Sequence, residues 1–544
     1  MTFSIRGRLL ITLVTIVCCA LLVGGTYDRG LRRGMATAIE WGPFSFQISL
    51  ACAISDSVYS FNLGYVCAAP VYAKLVEIQM AGDNSDKVIP RLRDGALINQ
   101  SIKDASRLGS FDPGTFDTGG LMTPYYNDLG MIDFIKGAFR LYGPTIESLY
   151  NLFFTLLAIS ILVFILAFRG NLLAAAAIIM ITFGFFAEIN SEMFTLLMPS
   201  VYSMRYPSVL VIVPTLHLAL LLAWRKPLTV TNLVLAVPQV LLLVLVMKMR
   251  FSAVWGLVLV LSVAGVQCLV SFITNLRSSK IWQLSIVDMM AELFRWPVIL
   301  SVGALLLHSA YMRSILHPVY DSDEVLAQHM TWHSFFQNYA AFDLAALALS
   351  GLQGEDARGD PISWQAARQY AYRTRLVKNY ESLNASLTHF GLRLALHDNL
   401  MRRVYLGYIT QHPIRALRVY LLQKPPDVLK RYWNEKLAAF PFWVSLVNYG
   451  LCATFGLSLI FLPWSVAQAR SLLMVLVGMG IVSTLPHIAG APDLVYLNDM
   501  CIVWPAAFYL GLPLVLALLI AWKRPSLLMQ KKLAGSSFVC PPAS

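Results

Sequence analysis

Ten separate stretches of this chain run for about twenty residues with almost no charged side chain, near residues 8–27, 149–168, 171–188, 206–224, 230–247, 252–274, 296–316, 440–462, 471–488 and 500–522. That is the length a helix needs to cross a hydrocarbon core of roughly 30 Å. A soluble fold has nowhere to hide them. Of the 544 residues, 57% are hydrophobic and 13% charged, against about 25% charged in soluble domains. In lipid only helices and closed barrels satisfy their own backbone hydrogen bonds. The runs are continuous in Leu, Val, Ile and Ala, not alternating as barrel strands are, so the expected architecture is all-α: a polytopic membrane helix bundle of about ten spans.

Charge sets the expected orientation. The net charge of +12 comes without a basic soluble module, which argues against a nucleic-acid partner. The basic residues flank the apolar runs instead. With the N-terminus cytoplasmic, Arg169, Arg225 and Lys226, Arg277 and Lys280, Arg470, and the basic tail from Lys523 all fall inside, as the positive-inside rule asks. Lys248 and Arg250, in a tight exterior hairpin, break the rule, as do Arg29, Arg32 and Arg33; lipid or substrate phosphate would give them a local reason. The first run follows Arg6 and Arg8 and is read as an anchor, with a cleaved signal peptide as the alternative.

The resulting plan is a first span (1–27), an extracytoplasmic segment (28–148), a bundle (149–316), a second extracytoplasmic segment (317–439), C-terminal spans (440–522) and a cytoplasmic tail (523–544). Both long segments carry apolar residues at helical spacing, as in Ser363–Leu383 and Arg402–Leu422, so they too are expected to be helical. The second stretch suits either a helix in the headgroup layer or a solvated one packed on its neighbours. Of the eight cysteines, Cys52 and Cys67 lie in an exterior segment, where a disulfide and two buried thiols fit equally well.

Polar residues with chemical potential gather beside the runs. Asp94 opens Asp94-Gly95-Ala96-Leu97-Ile98, and Asp128 sits in Tyr125-Tyr126-Asn127-Asp128-Leu129-Gly130. A carboxylate just outside the bilayer can take a proton from an acceptor hydroxyl; the plainer role for either Asp is a helix cap or a solvated loop. Arg205 and Tyr206, at the mouth of the run starting at 206, would hold a phosphate or anchor the interface. His329 and His333 stand one helical turn apart beside Trp332, near Asp321, Asp323 and Glu324. The spacing permits metal ligation but lacks the Glu of a zinc hydrolase motif, so lining a substrate groove or capping a helix is preferred, with Trp332 stacking on a sugar. Glu188 and Glu192, expected in a short exterior loop, are the weak candidates for a divalent cation, and His487 belongs to the same rim.

The order of these features resembles the GT-C superfamily of membrane glycosyltransferases. The resemblance rests on an N-terminal span, an exterior segment with Asp and an amphipathic helix, then Phe139-Arg140-Leu141-Tyr142-Gly143-Pro144 leading into the second span. Gln411-His412-Pro413-Ile414-Arg415-Ala416-Leu417 and Lys424 look like the His-Pro helix of bacterial members. The motifs are short and degenerate. The resemblance implies that Asp94 or Asp128 is the general base, that the donor is a polyprenyl-phosphate-linked sugar, that an envelope glycan, lipid or protein is the acceptor, and that the membrane is the bacterial inner membrane. The chain departs from the family before its last span: where bacterial members often carry an Arg-Tyr pair, it has Val495-Tyr496-Leu497-Asn498-Asp499.

The function expected from the sequence is therefore transfer of a lipid-linked sugar at the extracytoplasmic face, with no cofactor required beyond a divalent cation at most. A lipid or glycan transporter, or a polysaccharide polymerase or ligase, would also need many spans. Transporters place ionisable residues at the bilayer midplane, and these runs hold almost none.

Overall fold

The structure is a computed structural model, and it describes residues 4–36, 53–54, 67–68, 100, 103–104, 121–122, 129–190, 206–277, 290–315, 331–352, 361–375, 394–437, 442–462, 464–489 and 498–523. Apart from one antiparallel pair of two-residue strands, Cys67–Ala68 with Leu121–Met122, the regular elements among these residues are helical. The apolar runs form helices α1 (Ile5–Ala36), α3 (Ile146–Ala167), α4 (Leu172–Asn190), α5 (Ile212–Ala223), α6 (Val230–Met249), α7 (Trp255–Arg277) and α8 (Trp296–Ile315), while α2 (Leu129–Tyr142) precedes α3. The second long segment contributes α9 (Thr331–Ala340), α10 (Leu344–Leu347), α11 (Pro361–Arg373), α12 (Leu394–Gln411), α13 (Pro413–Arg418) and α14 (Lys424–Arg431); α15 (Phe442–Phe461), α16 (Val466–Ala489) and α17 (Asn498–Lys523) complete the chain.

Among the described residues, eight helices are long and apolar enough to cross a membrane. The other two expected spans are also helices. Pro207–Ala223 is shorter and apolar, and every residue of α5 is buried, so it meets protein on all sides. Helix α8 carries His308 and Arg313 and packs on α6 and α7. At the periphery, α1 leaves Leu9, Leu13 and Leu21 exposed, a face suited to lipid.

Small residues and paired polar groups set the close contacts. A Cβ on Gly256 would run into Thr215 and Val211, so α7 lies directly against α5 and the turn before it, the kind of approach small residues permit in membranes. Ser160 on α3 and Gln239 on α6 satisfy each other: Ser160 Oγ donates to Gln239 Oε1, and Gln239 Nε2 donates to the Ser160 carbonyl, both at 2.7 Å. Helix α2 ends where Gly143 takes φ +91°, a left-handed conformation that favours glycine. Its other end is pinned against α6, because a Cβ on Gly130 would overlap the backbone of Lys248 and Met249.

These contacts sort the helix ends into two groups. At one end lie Arg8, the Arg169–Asn171 turn, Trp224–Lys226, Arg295, Trp296 and Gln468. They are tied by Gly170 N donating to Thr12 Oγ1 (3.0 Å), Asn171 Nδ2 to Gln468 Oε1 (3.2 Å) and Trp296 Nε1 to the Lys226 carbonyl (3.0 Å). Of the basic connections expected on one side, Arg169 and the Arg225–Lys226 pair lie together with Arg8 at this end, the basic end; residues 278–289 and 524–544 lie outside the described residues. At the other, the loop end, α2 meets the 248–250 hairpin, and Val428 and Tyr432 of the second segment pack with Met500 and Cys501 at the start of α17.

Two outcomes follow from this packing. Gly130→Ala should lower stability by about 1–3 kcal/mol, the usual cost of overpacking, seen as a fall in Tm in detergent, whereas Gly265→Ala, with open space around it, should change it by less than about 0.5 kcal/mol. In a background without native cysteines, thiols placed at Arg140 and Leu344, both exposed, should react with an impermeant maleimide from one side, and a thiol at exposed Leu228 from the opposite side.

Candidate functional site at the loop end

Six side chains from distant parts of the sequence converge where helices end. Glu188 lies in the last turn of α4 and Tyr206 just before the turn leading into α5. Arg250 and Trp255 flank the connection from α6 to α7, His487 ends α16, and Asp499 begins α17. Glu188, Tyr206, Trp255, His487 and Asp499 are all buried. The indole Nε1 of Trp255 donates to Asp499 Oδ2 at 2.8 Å, leaving Oδ1 without a hydrogen-bond partner among the described residues. The Arg250 guanidinium acts electrostatically on both His487 and Asp499. Glu188 interacts likewise with Tyr206 and with Tyr432 of the second segment.

Removing charged groups from water is costly unless they are paired or hydrogen-bonded. Ionisable residues held at the ends of membrane helices are therefore candidates for function. The arrangement offers a carboxylate with one oxygen fixed by an indole and the other buried without a partner among the described residues, beside a cation. Those are the elements needed to accept a proton and to hold an anionic group.

The second segment builds a core of its own. His333 Nδ1 and His397 Nε2 are 2.8 Å apart, and the His397 ring stacks on Trp364 at 3.9 Å. Burial, with His333 and Arg368 nearby, pushes the His397 imidazole well below its ordinary range. Asp398 accepts from the backbone N–H groups of Trp332 (2.9 Å) and His333 (3.1 Å) and so caps α9; burial nevertheless pushes its carboxyl up to about 6. Around Asp343, whose Oδ2 accepts from Tyr339 and Tyr408, four tyrosines gather, and Tyr405 and Tyr420 share a 2.5 Å hydroxyl contact. Lys424 is 1% exposed. Its ammonium has no hydrogen-bond partner among the described residues and lies 4.5 Å from the Tyr420 ring and 6.0 Å from that of Phe342. Burial draws its pKa down to about 7.

Several expectations change in this light. Glu188 does not sit in a solvated loop: α4 continues to Asn190 and carries it inside. Tyr206 is no lipid-facing belt residue, because it is fully buried with its ring 5.5 Å from that of Phe153. His487, expected at the same exterior rim, is buried in the last turn of α16. Trp332 packs edge-on against Phe335, and His333 pairs with His397 within the segment core, so neither opens onto the rim. His412, half-buried, marks the break between α12 and α13 with its ring 4.7 Å from Tyr408. Asp94, Asp128, Glu192, Arg205 and His329, with Cys52, lie outside the described residues. Among the described residues no group of three or more His, Cys, Asp or Glu side chains could hold a metal ion.

Arg250, Trp255 and Asp499 were not among the expected site residues. Arg250 had left a trace, as a cation on the wrong side of the orientation rule, and Asp499 as the residue at which the family pattern failed. Trp255 left none. No family model matches the chain, and no curated protein or solved structure matches it.

The buried Lys424 gives a pH dependence with a defined sign. Its pKa is lower in the folded protein than the ordinary 10.5, so between about pH 7 and 10.5 the unfolded chain binds more protons. Its contribution to stability therefore rises with pH across that window. Compared with wild type, Lys424→Met should be more stable at pH 7 and should lose this rise, measured as the difference in Tm between the two proteins from pH 6.5 to 9.5.

Proposed function

We propose that this chain is an integral membrane glycosyltransferase, of GT-C type, that moves a sugar from a polyprenyl-phosphate donor to an envelope glycan, lipid or protein at the extracytoplasmic face of an inner membrane. In this reading the loop end is extracytoplasmic, both termini are cytoplasmic and the chain crosses ten times. The observation that carries the proposal is the buried Asp499–Trp255 pair beside Arg250 and His487, at the end of the bundle where the second segment docks. A lipid-linked sugar brings its phosphate to this level of the membrane.

The chemistry asked of these groups is limited. An acceptor hydroxyl oxygen forms a bond to the anomeric carbon as the bond from that carbon to the donor phosphate oxygen breaks. The hydroxyl proton passes to a carboxylate, and the phosphate leaves with the electron pair, its charge held by a guanidinium. Arg250 suits the phosphate, and Arg205 is the second cation proposed for it. For the carboxylate, Asp94 and Asp128 are the residues the family resemblance points to. Asp499 joins them because its buried Oδ1 has no hydrogen-bond partner among the described residues while Trp255 fixes its Oδ2.

A lipid or glycan transporter is the second reading, favoured by one observation. His217 is fully buried within α5 against Phe164 and Phe168, and neither ring nitrogen has a hydrogen-bond partner among the described residues. Among the described residues the buried carboxylates of the bundle, Glu188, Glu292 and Asp499, lie at or beside helix ends, which supports transfer over transport.

A strain lacking the chain should lose one sugar from a surface glycan, glycolipid or glycoprotein by mass spectrometry, while the unused lipid-linked donor accumulates. Complementation with Asp94→Asn, Asp128→Asn or Asp499→Asn should identify at least one variant that is made and folded but transfers about 10²–10⁴ times more slowly. An unchanged glycan profile in the deletion strain would sink the assignment, as would normal transfer by all three variants.

A further inference from the structure

The basic end of the bundle holds a cavity that the proposed transfer reaction does not use. It has a volume of about 1020 Å³ and lies between the start of α1, the turn joining α3 to α4, the residues after α5 and the start of α16. Three basic side chains line it, Arg8, Arg169 and Lys226, and the lining includes no Asp or Glu. Among the described residues none of the three is ion-paired.

The neighbouring cations are treated differently. Glu292 pairs with Arg225 at 3.0 Å and with Arg295 at 2.5 Å. Thus the same end of the protein gives two of its basic side chains a shared carboxylate partner and leaves three facing a common space. Like charges gathered without a counter-ion repel, and Lys226 is also half-buried, with its ammonium 5.9 Å from the Phe168 ring. Burial lowers its pKa. An anion in the cavity would offset both costs.

The surroundings say what kind of anion. The cavity lies at the ends of α1, α3, α4 and α16, all long and apolar enough to cross a membrane, with Trp464 in its wall; a bilayer spanned by these helices would bring its headgroups to this level. Its walls continue into apolar side chains that face outward: Ile5, Leu9 and Leu13 on α1, and Leu162 and Leu166 on α3, are all exposed. A free phosphate would gain nothing from that surface, whereas two acyl chains would lie along it. We infer that the cavity lined by Arg8, Arg169 and Lys226 is a binding site for the phosphodiester headgroup of an anionic phospholipid, with the acyl chains against the exposed faces of α1 and α3. Basic pockets between membrane helices hold anionic headgroups by this combination of charge and apolar contact.

Native mass spectrometry of the purified full-length chain in detergent provides the test. With phosphatidylglycerol or phosphatidylcholine added at equal concentration, wild-type protein should retain the anionic lipid at concentrations where the zwitterionic one is lost. Arg169→Gln combined with Lys226→Gln should weaken retention roughly thirtyfold, from the usual contribution of two basic side chains near a membrane surface. Arg8→Gln, on an exposed position of the peripheral helix, should weaken it in the same direction without disturbing the bundle. Arg470→Gln, a basic residue of the same end outside the cavity, should leave it unchanged. The proposal fails if Arg8→Gln and the double variant bind as wild type does, or if Arg470→Gln weakens binding equally, which would mean diffuse surface charge. It also fails if phosphatidylcholine is retained as well as phosphatidylglycerol, or if inorganic phosphate displaces the lipid, which would make this a small-anion site.

Discussion

The hydrogen bond from Trp255 to Asp499 joins two parts of the chain 244 residues apart. In water such a bond would contribute little, because each partner exchanges it for water. Here both groups are buried, and a carboxylate left unpaired in that setting carries the full cost of desolvation. The bond therefore fixes how the start of α7 meets the start of α17, and the residues around it take their places from that contact. Arg250 follows because the connection into α7 must carry it past Asp499. His487 follows because α16 packs along α17.

The two ends of the bundle solve opposite problems. At the basic end, side chains close the short connections: Thr12 receives Gly170 N–H, Asn171 reaches Gln468, and Trp296 reaches the Lys226 carbonyl. At the loop end, polypeptide does the covering. Helix α2 lies against the last turn of α6, and α14 with the turn after it settles on Met500 and Cys501. The basic end is thus held by side chains reaching between short connections, and the loop end by groups brought together from several elements.

The membrane helices were legible in the sequence because each carries its own signal: about twenty apolar residues need no partner to declare themselves. The break after α2 falls in the stretch 139–144, legible only as leading into the second span, and Gly143 turns left-handed there. The site was harder to read. Glu188 looked like a loop residue because a lone carboxylate after Phe185, Phe186 and Ala187 gives no hint that the helix continues to Asn190 and that Tyr206 and Tyr432 lie nearby. His333 was set against His329 by local spacing, but its partner, His397, lies 64 residues away. Pairings of that kind depend on how helices pack, and periodicity along one helix holds no record of it.

Helix α5 and helix α1 stand at two extremes of exposure, one enclosed throughout and the other mostly bare. A side chain that touches only acyl tails is held to little beyond being apolar, so Leu9, Leu13 and Leu21 can exchange for Val, Ile or Phe over generations with little penalty. The enclosed helix has no such latitude. A change of one methyl group there must be answered by a change in a neighbour, so its history should be written in coordinated pairs, while that of the outer helix reads as independent drift.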